Sequence, residues 1–210
     1  MRWFQVAKDP DRAPPEGRYP DWRQQLAEEA NFQCVYCAVS EPQFGGARGF
    51  HIEHYRPKSR FEALTHDYSN LFYACCVCNV FKGDDWPRDP PPALDLPSYP
   101  SPAETDYNHH FEVDWQAGRI SAKNTAAAYV LQRLHLNRPQ LMNERRNWAI
   151  VSRLRHFFEW VESTDLGSLP RDDATHALLL EFVEILGRVG RAREQYLNAR
   201  PYEPGDLRNE

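Results

Sequence analysis

The 210-residue sequence contains no apolar run near the roughly 18 residues that a membrane-spanning helix requires. Its N-terminal segment lacks the apolar stretch of a secretory signal. Basic residues are not in excess, because 25 lysines and arginines face 30 aspartates and glutamates. These absences argue against a membrane protein, a secreted protein and a polycation that coats nucleic acid. We therefore expect a cytoplasmic protein, in which structural disulfides are rare.

Charge and proline are concentrated in particular segments. Residues 84–120 contain eight acidic and two basic residues, whereas residues 47–60 and 138–155 are locally basic. A basic segment of this kind could form a face that contacts phosphates, or only a solvated surface. Seven of the 17 prolines lie between positions 84 and 103, which predicts an extended connector. We therefore divide the chain into an N-terminal arm with a helix (1–33), a core (34–84), the connector (85–104) and a C-terminal part (105–210).

The pattern of apolar residues predicts an α+β protein whose C-terminal part is mostly helical. Short β-like runs predict strands at 50–55 and 71–76 and a hairpin at 111–122. Helices are predicted at 22–30 with Asp21 as the N-cap, from about 79, at 126–135, from Pro139 onwards, and in a last segment around 179–186. Apolar residues at helical spacing in the last two helices are expected to be buried: Ile150, Leu154, Phe157, Val161, Leu179, Phe182, Val183 and Leu186.

The five cysteines need an explanation other than disulfides. Cys34 and Cys37 form one CxxC pair, and Cys75 and Cys78 form a second. A two-residue gap lets both thiolates of a pair face one tetrahedral ion, so two pairs predict a closed, structural zinc site. A redox pair is the alternative for a single CxxC motif, and the doubled motif favours zinc. Cys76 is expected to be a small buried residue outside the site.

The segment between the two cysteine pairs carries residues suited to hydrolytic chemistry. On a strand, alternation places His51 and Glu53 on one face and His54 on the other. A histidine can take a proton from water near neutral pH. A carboxylate together with an amide oxygen suits Mg²⁺ or a similar hard cation. A cation beside a base is what hydrolysis of a phosphodiester requires.

At these residues the sequence resembles the HNH (ββα-metal) nuclease family. The family pattern is a CxxC pair, an acidic residue and a histidine at a strand end, an asparagine, and then CxxCN followed by Lys-Gly. The present sequence reads Cys34-x-x-Cys37, Glu53-His54, Asn70, Cys75-x-x-Cys78-Asn79 and Lys82-Gly83. It departs from many members by having Glu53 in place of aspartate and Asn79 in place of histidine.

The resemblance implies a ββα-metal core with structural zinc and a metal-dependent endonuclease that acts on DNA, with RNA not excluded. His54 would be the general base, and Asn70 would orient its imidazole or its loop. Glu53 and Asn79 would bind a catalytic Mg²⁺ or Mn²⁺. The expected phosphate contacts in the core and in the basic stretch of the C-terminal part are Arg56, Lys58, Lys82, Arg145 and Arg146.

A narrower resemblance lies in the segments HIEHYRPKS and YSNLFYACCVCNVFKG. They resemble the HNH subunits of Septu-type bacterial anti-phage systems, which work beside an ATPase. This implies a role in defence and an ATPase partner, and it leaves the oligomeric state and the sequence specificity open.

Each role has a structural alternative. His54 could be a structural histidine that donates to a backbone carbonyl, and Glu53 could be a carboxylate paired with a nearby basic residue. Asn70 and Asn79 could cap the elements that follow them. For the whole protein, the alternatives are an inactive zinc-stabilised module that binds nucleic acid or protein, and an RNase on the same fold.

Overall fold

The computed structural model describes residues 2–12, 17–163 and 172–197. Its helices and strands, in chain order, are α1 (Arg23–Glu29), β1 (Phe50–His54), β2 (Leu71–Cys75), α2 (Cys76–Lys82), β3 (Phe111–Asp114), β4 (Arg119–Ala122), α3 (Thr125–Arg133), α4 (Pro139–Ser163) and α5 (Asp173–Leu197). The predicted α+β class is confirmed, with two small antiparallel sheets, a helical C-terminal part and a cluster of four cysteines.

Two antiparallel hairpins form the sheets. In the first, β1 pairs with β2, so that Phe50 lies opposite Cys75 and His54 opposite Leu71. In the second, β3 pairs with β4, with Phe111 opposite Ala122. Helix α2 follows β2 without a loop and packs against both strands of the first hairpin. The resulting β1–β2–α2 unit contains the motif residues singled out between positions 50 and 82.

One hydrophobic core joins the parts of the chain that composition separates. It contains Tyr36 from the first cysteine turn, Tyr99 from the proline-rich segment and Leu136 from the C-terminal part, each with 0% exposure. The proline-rich segment has no helix or strand, as expected for an extended connector. It is nevertheless packed in place, since Asp85 Oδ2 accepts from the Tyr99 hydroxyl at 2.7 Å and from the hydroxyl of Tyr129, outside the connector, at 2.5 Å.

Two element boundaries differ from the predicted ones for a local reason. Helix α1 begins at Arg23 because a 3-10 turn containing Pro20 precedes it, and Asp21 accepts from the Arg18 N–H within that turn instead of capping α1. Helix α2 begins at Cys76, three residues before the predicted start, because the sulfur of Cys75 serves as its N-cap.

The long helices α4 and α5 pack against each other, with the rings of Phe157 and Phe182 stacked at 4.1 Å. The expectation that their apolar stripes are buried is wrong for Leu179, Val183 and Leu186, which are 49%, 63% and 48% exposed. Within the described residues, α5 is covered along the face that meets α4 and is open on the other. Among the helices described, none has both the length and the apolar character to cross a membrane.

Candidate metal centre and active site

The four cysteines of the two CxxC pairs come together, as predicted. They are buried, and their sulfur atoms all lie within 4.8 Å of one another. All five cysteines of the chain are free, so no disulfide competes for these sulfurs. Four buried thiols at this spacing fit a tetrahedral metal such as zinc, with no position left for water. Cys76 lies outside the cluster and is partly exposed rather than buried.

Local backbone structure aims each pair at the cluster. In the first pair, the Cys34 N–H donates to the Val39 carbonyl at 2.8 Å, and the Ala38 N–H donates to the Cys34 carbonyl at 2.9 Å. This tight turn places Ala38 in the left-handed region at φ 58°. In the second pair, Cys75 ends β2 and its sulfur accepts from the Cys78 N–H at 3.4 Å. The metal cluster therefore lies at the junction of β2 and α2.

Glu53 extends from β1 toward α2. It is 2% exposed, and its Oε1 lies 2.6 Å from Lys82 Nζ and accepts a hydrogen bond from the Tyr36 hydroxyl at 3.3 Å. Burial raises the pKa of Glu53, and Lys82 and Tyr36 oppose that rise. An oxygen engaged by an ammonium group is a poor ligand for a second cation. This conformation therefore gives no support to Glu53 as a direct metal ligand.

His54 lies on the opposite face of β1 and is half-buried. Its Nε2 is 3.0 Å from the Thr65 carbonyl, and its ring meets Tyr19 edge-on at 5.0 Å. Because a carbonyl only accepts, Nε2 carries the proton and Nδ1 keeps a free lone pair. Burial lowers the pKa of His54, and the bond to Thr65 partly opposes this. The lowered pKa favours the neutral imidazole, and the bond from Nε2 to Thr65 favours the tautomer in which Nδ1 is the basic atom.

Asn70 is buried at the end of the hairpin and binds backbone on both sides of it. Its Oδ1 accepts from the Arg56 N–H at 2.8 Å, and its Nδ2 donates to the carbonyls of Arg56 and Leu64 at 3.0 and 3.2 Å. These bonds hold the loop that follows His54 and the segment that leads to Thr65. Asn70 therefore positions both ends of the His54 hydrogen bond without contacting the imidazole.

Asn79 and His51 form a polar pair at the surface. The Asn79 side-chain amide lies 3.2 Å from His51 Nδ1, across the junction of α2 and β1. In the part of the chain that the structure describes, no hydrogen bond joins Asn79 to Glu53 or to His54. The structure thus brings Asn79 next to His51, and not next to Glu53, with which it was predicted to share a metal ion.

Two of the residues predicted to contact phosphate are buried in this structure. Lys82 is 0% exposed, and besides pairing with Glu53 its ammonium donates to the His54 carbonyl at 3.0 Å. Arg145 is 1% exposed, and its guanidinium donates to the carbonyls of Gly118 and Leu136 at 3.0 and 2.7 Å. Burial lowers the pKa of Arg145 to about 10. Both side chains bind acceptors inside the protein and cannot reach a phosphate in this conformation.

The remaining predicted phosphate contacts lie at the surface and stay predictions. Lys58 is exposed and lies 5.6 Å from the ring centroid of Tyr19, on the same side of β1 as His54. Arg56 is partly exposed and pairs with Asp89 at 2.9 Å. Arg146 is partly exposed and bonds to Asn143.

Sequence reasoning missed the role of Arg138, which it placed only within a basic stretch. The guanidinium of Arg138 is buried and lies within 4.0 Å of three sulfurs of the cysteine cluster. It also missed Thr65, which acts through its backbone carbonyl. A backbone carbonyl is present at every residue, so the sequence cannot single out the one at Thr65. The position of Arg138 beside Pro139 at a helix start likewise does not indicate that its partners are distant cysteines.

Residues 34–85 match the family model of HNH endonucleases. The matched stretch covers about a quarter of the chain and contains both cysteine pairs and the whole β1–β2–α2 unit. No curated protein matches the chain. The match indicates a metal-dependent nuclease domain whose substrate is a nucleic acid.

Proposed function

We propose that the protein is a metal-dependent endonuclease that hydrolyses phosphodiester bonds in DNA. The observation that carries this proposal is the half-buried imidazole of His54, with Nε2 at 3.0 Å from the Thr65 carbonyl, within a unit that matches the HNH endonuclease model.

His54 is proposed to act as the general base. Its Nδ1 would take a proton from the attacking water, and the resulting hydroxide would attack the phosphorus atom. The Thr65 carbonyl would stabilise the imidazolium, because it accepts from Nε2. Lys58, on the same side of β1, would contact the neighbouring phosphate and bring the backbone of the substrate within reach of His54.

The surface pair of Asn79 and His51 is proposed to hold the catalytic divalent ion on the face of β1 opposite to His54, so the scissile phosphate would have to meet both groups at the edge of the strand. Such an ion neutralises charge on the phosphate oxygens and on the leaving oxygen. An amide oxygen with several waters suits Mg²⁺ or Mn²⁺, and the imidazole nitrogen of His51 favours Mn²⁺ of the two. Glu53 would join as a ligand only if Lys82 released its carboxylate, because in this conformation the ammonium of Lys82 neutralises it. The four cysteines would hold a structural zinc ion.

The proposed nuclease is expected to bind DNA weakly by itself, because the chain carries a net charge of −5. Weak intrinsic affinity suits a nuclease that a partner protein delivers to its target. An ATPase partner and a role in bacterial anti-phage defence are proposed on the resemblance of the HIEHYRPKS and YSNLFYACCVCNVFKG segments to Septu-type subunits.

The decisive experiment is a plasmid cleavage assay with Mg²⁺, Mn²⁺ or EDTA, comparing the wild type with His54→Ala. Loss of the base is expected to slow cutting by about 10²- to 10⁴-fold while zinc content and circular dichroism stay unchanged. His109→Ala, at an exposed histidine far from β1 in sequence, is the matched control and should cut normally. Equal rates for His54→Ala and the wild type would refute the proposed base.

Parallel assays separate the competing functions. Cleavage of single-stranded RNA in preference to DNA would favour the RNase, and binding without any cleavage would favour an inactive module. The ion site is tested by the metal concentration that gives half-maximal rate in Asn79→Ala, His51→Ala and Glu53→Gln. We expect this metal concentration to increase strongly for Asn79→Ala and His51→Ala and less for Glu53→Gln. The reverse order would make Glu53 the direct ligand.

A further inference from the structure

Arg138 faces the cysteine cluster from the C-terminal part of the chain. Its Nη2 lies 3.8 Å from the sulfur of Cys37, 4.0 Å from that of Cys75 and 3.7 Å from that of Cys78. Its Nη1 lies 3.8 Å from the Cys78 sulfur and donates to the Leu134 carbonyl at 3.1 Å. One guanidinium is therefore within hydrogen-bonding distance of three of the four sulfurs.

The charge of the cluster explains why a cation is useful there. Four thiolates around one divalent ion leave two negative charges in excess, and all four sulfurs are buried. An uncompensated charge in the interior is costly, and a cation that is also a hydrogen-bond donor lowers that cost. Arg138 is 4% exposed, so its charge is not dispersed by solvent.

Without thiolates, the position of Arg138 would be unfavourable. Among the residues that the structure describes, its remaining acceptors are the carbonyls of Leu134 and His135, at 3.1 and 3.4 Å, and its Nε has no partner. Neutral thiols are weak acceptors. A buried guanidinium with such partners is stable only if the sulfurs carry negative charge, which is the state that a bound metal enforces.

Arg138 and the cysteines come from distant parts of the chain. Arg138 lies between α3 and α4, next to the buried residues Leu134, Leu136 and Leu141. The cysteines belong to the matched nuclease stretch, at least 60 residues earlier. The contact thus links the start of α4 directly to the metal ligands.

We propose that Arg138 is an outer-sphere ligand of the structural metal, donating hydrogen bonds to its thiolates and coupling metal binding to the docking of the C-terminal part. The proposal rests on the four-cysteine cluster and is independent of nuclease activity. Loss of an outer-sphere partner typically weakens metal affinity by about 10- to 100-fold.

The test compares zinc affinity in Arg138→Met and Arg138→Lys with the wild type, by competition with a chromophoric chelator. We expect at least a tenfold loss for Arg138→Met. The zinc affinity of Arg138→Lys should lie between those of Arg138→Met and the wild type. Lysine keeps the positive charge but lacks the planar guanidinium that reaches several sulfurs. Arg155→Met, at an exposed arginine of α4, is the control and should bind zinc as the wild type does.

Cobalt substitution supplies a readout that general destabilisation does not move. Hydrogen bonds lower the electron-donating power of a thiolate, so removing them should shift the thiolate-to-cobalt absorption band to lower energy. A wild-type band and zinc affinity within threefold of the wild type in a folded Arg138→Met protein would overturn the proposal. If Arg138→Met does not fold with zinc present, Arg138→Lys decides by the same two measurements.

Discussion

Neighbouring residues of β1 have different chemical surroundings because a strand turns successive side chains to opposite faces. Glu53 meets Lys82 and Tyr36 in the interior, whereas His54 meets Thr65 and Tyr19 near the surface. Burial therefore moves the two pKa values in ways that favour the neutral form of each group. Of these two residues, His54 is the one that keeps a free basic atom on an accessible face.

The proposed role of His54 predicts the pH dependence of cleavage. The neutral imidazole is the active form, so the rate falls as pH decreases through the pKa of His54. Because burial lowers that pKa, the midpoint of the acidic limb should lie below the ordinary histidine value of about 6.5. Single-turnover rates between pH 4.5 and about 8, at saturating Mn²⁺, measure it. A midpoint at or above the ordinary value would contradict the assignment.

Asn70 is predicted to matter through the backbone that it holds. Asn70→Ala leaves one N–H and two carbonyl groups without their partner, which should cost about 2–3 kcal/mol of unfolding free energy and slow cleavage. Asn147→Ala, at an exposed asparagine of α4, should change stability little. Urea denaturation in the presence of zinc provides both values. Equal stabilities of the two variants would show that the Asn70 bonds contribute nothing.

At the scale of elements, one buried ion pair joins α2 to β1. Lys82 and Glu53 are both inaccessible to solvent, and Lys82 also binds the His54 carbonyl. The pair therefore fixes the helix that carries Asn79 relative to the strand that carries His54. Because the pair is buried, it fixes the helix relative to the strand. For the same reason, removing one partner leaves the other as an uncompensated buried charge, which is destabilising.

This predicts non-additive effects in a double-mutant cycle. Lys82→Met should destabilise the fold by about 3–5 kcal/mol, because it strands the Glu53 carboxylate, and adding Glu53→Gln should restore part of the loss. The exposed pair of Arg12 and Glu28, at 2.7 Å, is the control, and Arg12→Met should leave the stability nearly unchanged, because solvent screens an exposed pair. Similar losses for Lys82→Met and Arg12→Met would show that the buried pair does not lock the helix.

At the scale of the whole molecule, the cysteine cluster connects segments that are distant in sequence. Cys34 and Cys37 follow α1, Cys75 and Cys78 join β2 to α2, and Arg138 reaches the sulfurs from the start of α4. Removing the metal should therefore loosen the core as a unit, not a single loop.

Adjacent cysteines provide the matched test of this view. Cys78→Ser removes a ligand and should abolish stoichiometric zinc binding and cooperative unfolding. Cys76→Ser, two residues away and outside the cluster, should retain about one zinc per chain and normal stability. Metal analysis and near-UV circular dichroism of the purified variants report the outcome. Zinc loss in both variants, or in neither, would refute the assignment of these four cysteines as the zinc ligands.

The local patterns of the sequence determined much of the fold and of the site. Cysteine spacing predicts the cluster because a two-residue gap is a local geometric constraint, and alternation predicts the two faces of β1. The hairpin at 111–122 and the start of α4 at Pro139 also follow from local signals. These features depend on residues within one turn or one strand.

Only the tertiary structure decided which charged residues are buried. Lys82 and Arg145 were predicted at the surface, and Arg138 was assigned to a basic face, yet all three are enclosed by acceptors up to about 100 residues away in sequence. It also placed Asn79 beside His51 and left Leu179 and Val183 exposed. A residue's type and its neighbours in the chain determine local conformation, whereas solvation and ionic partners depend on which distant segments fold against it.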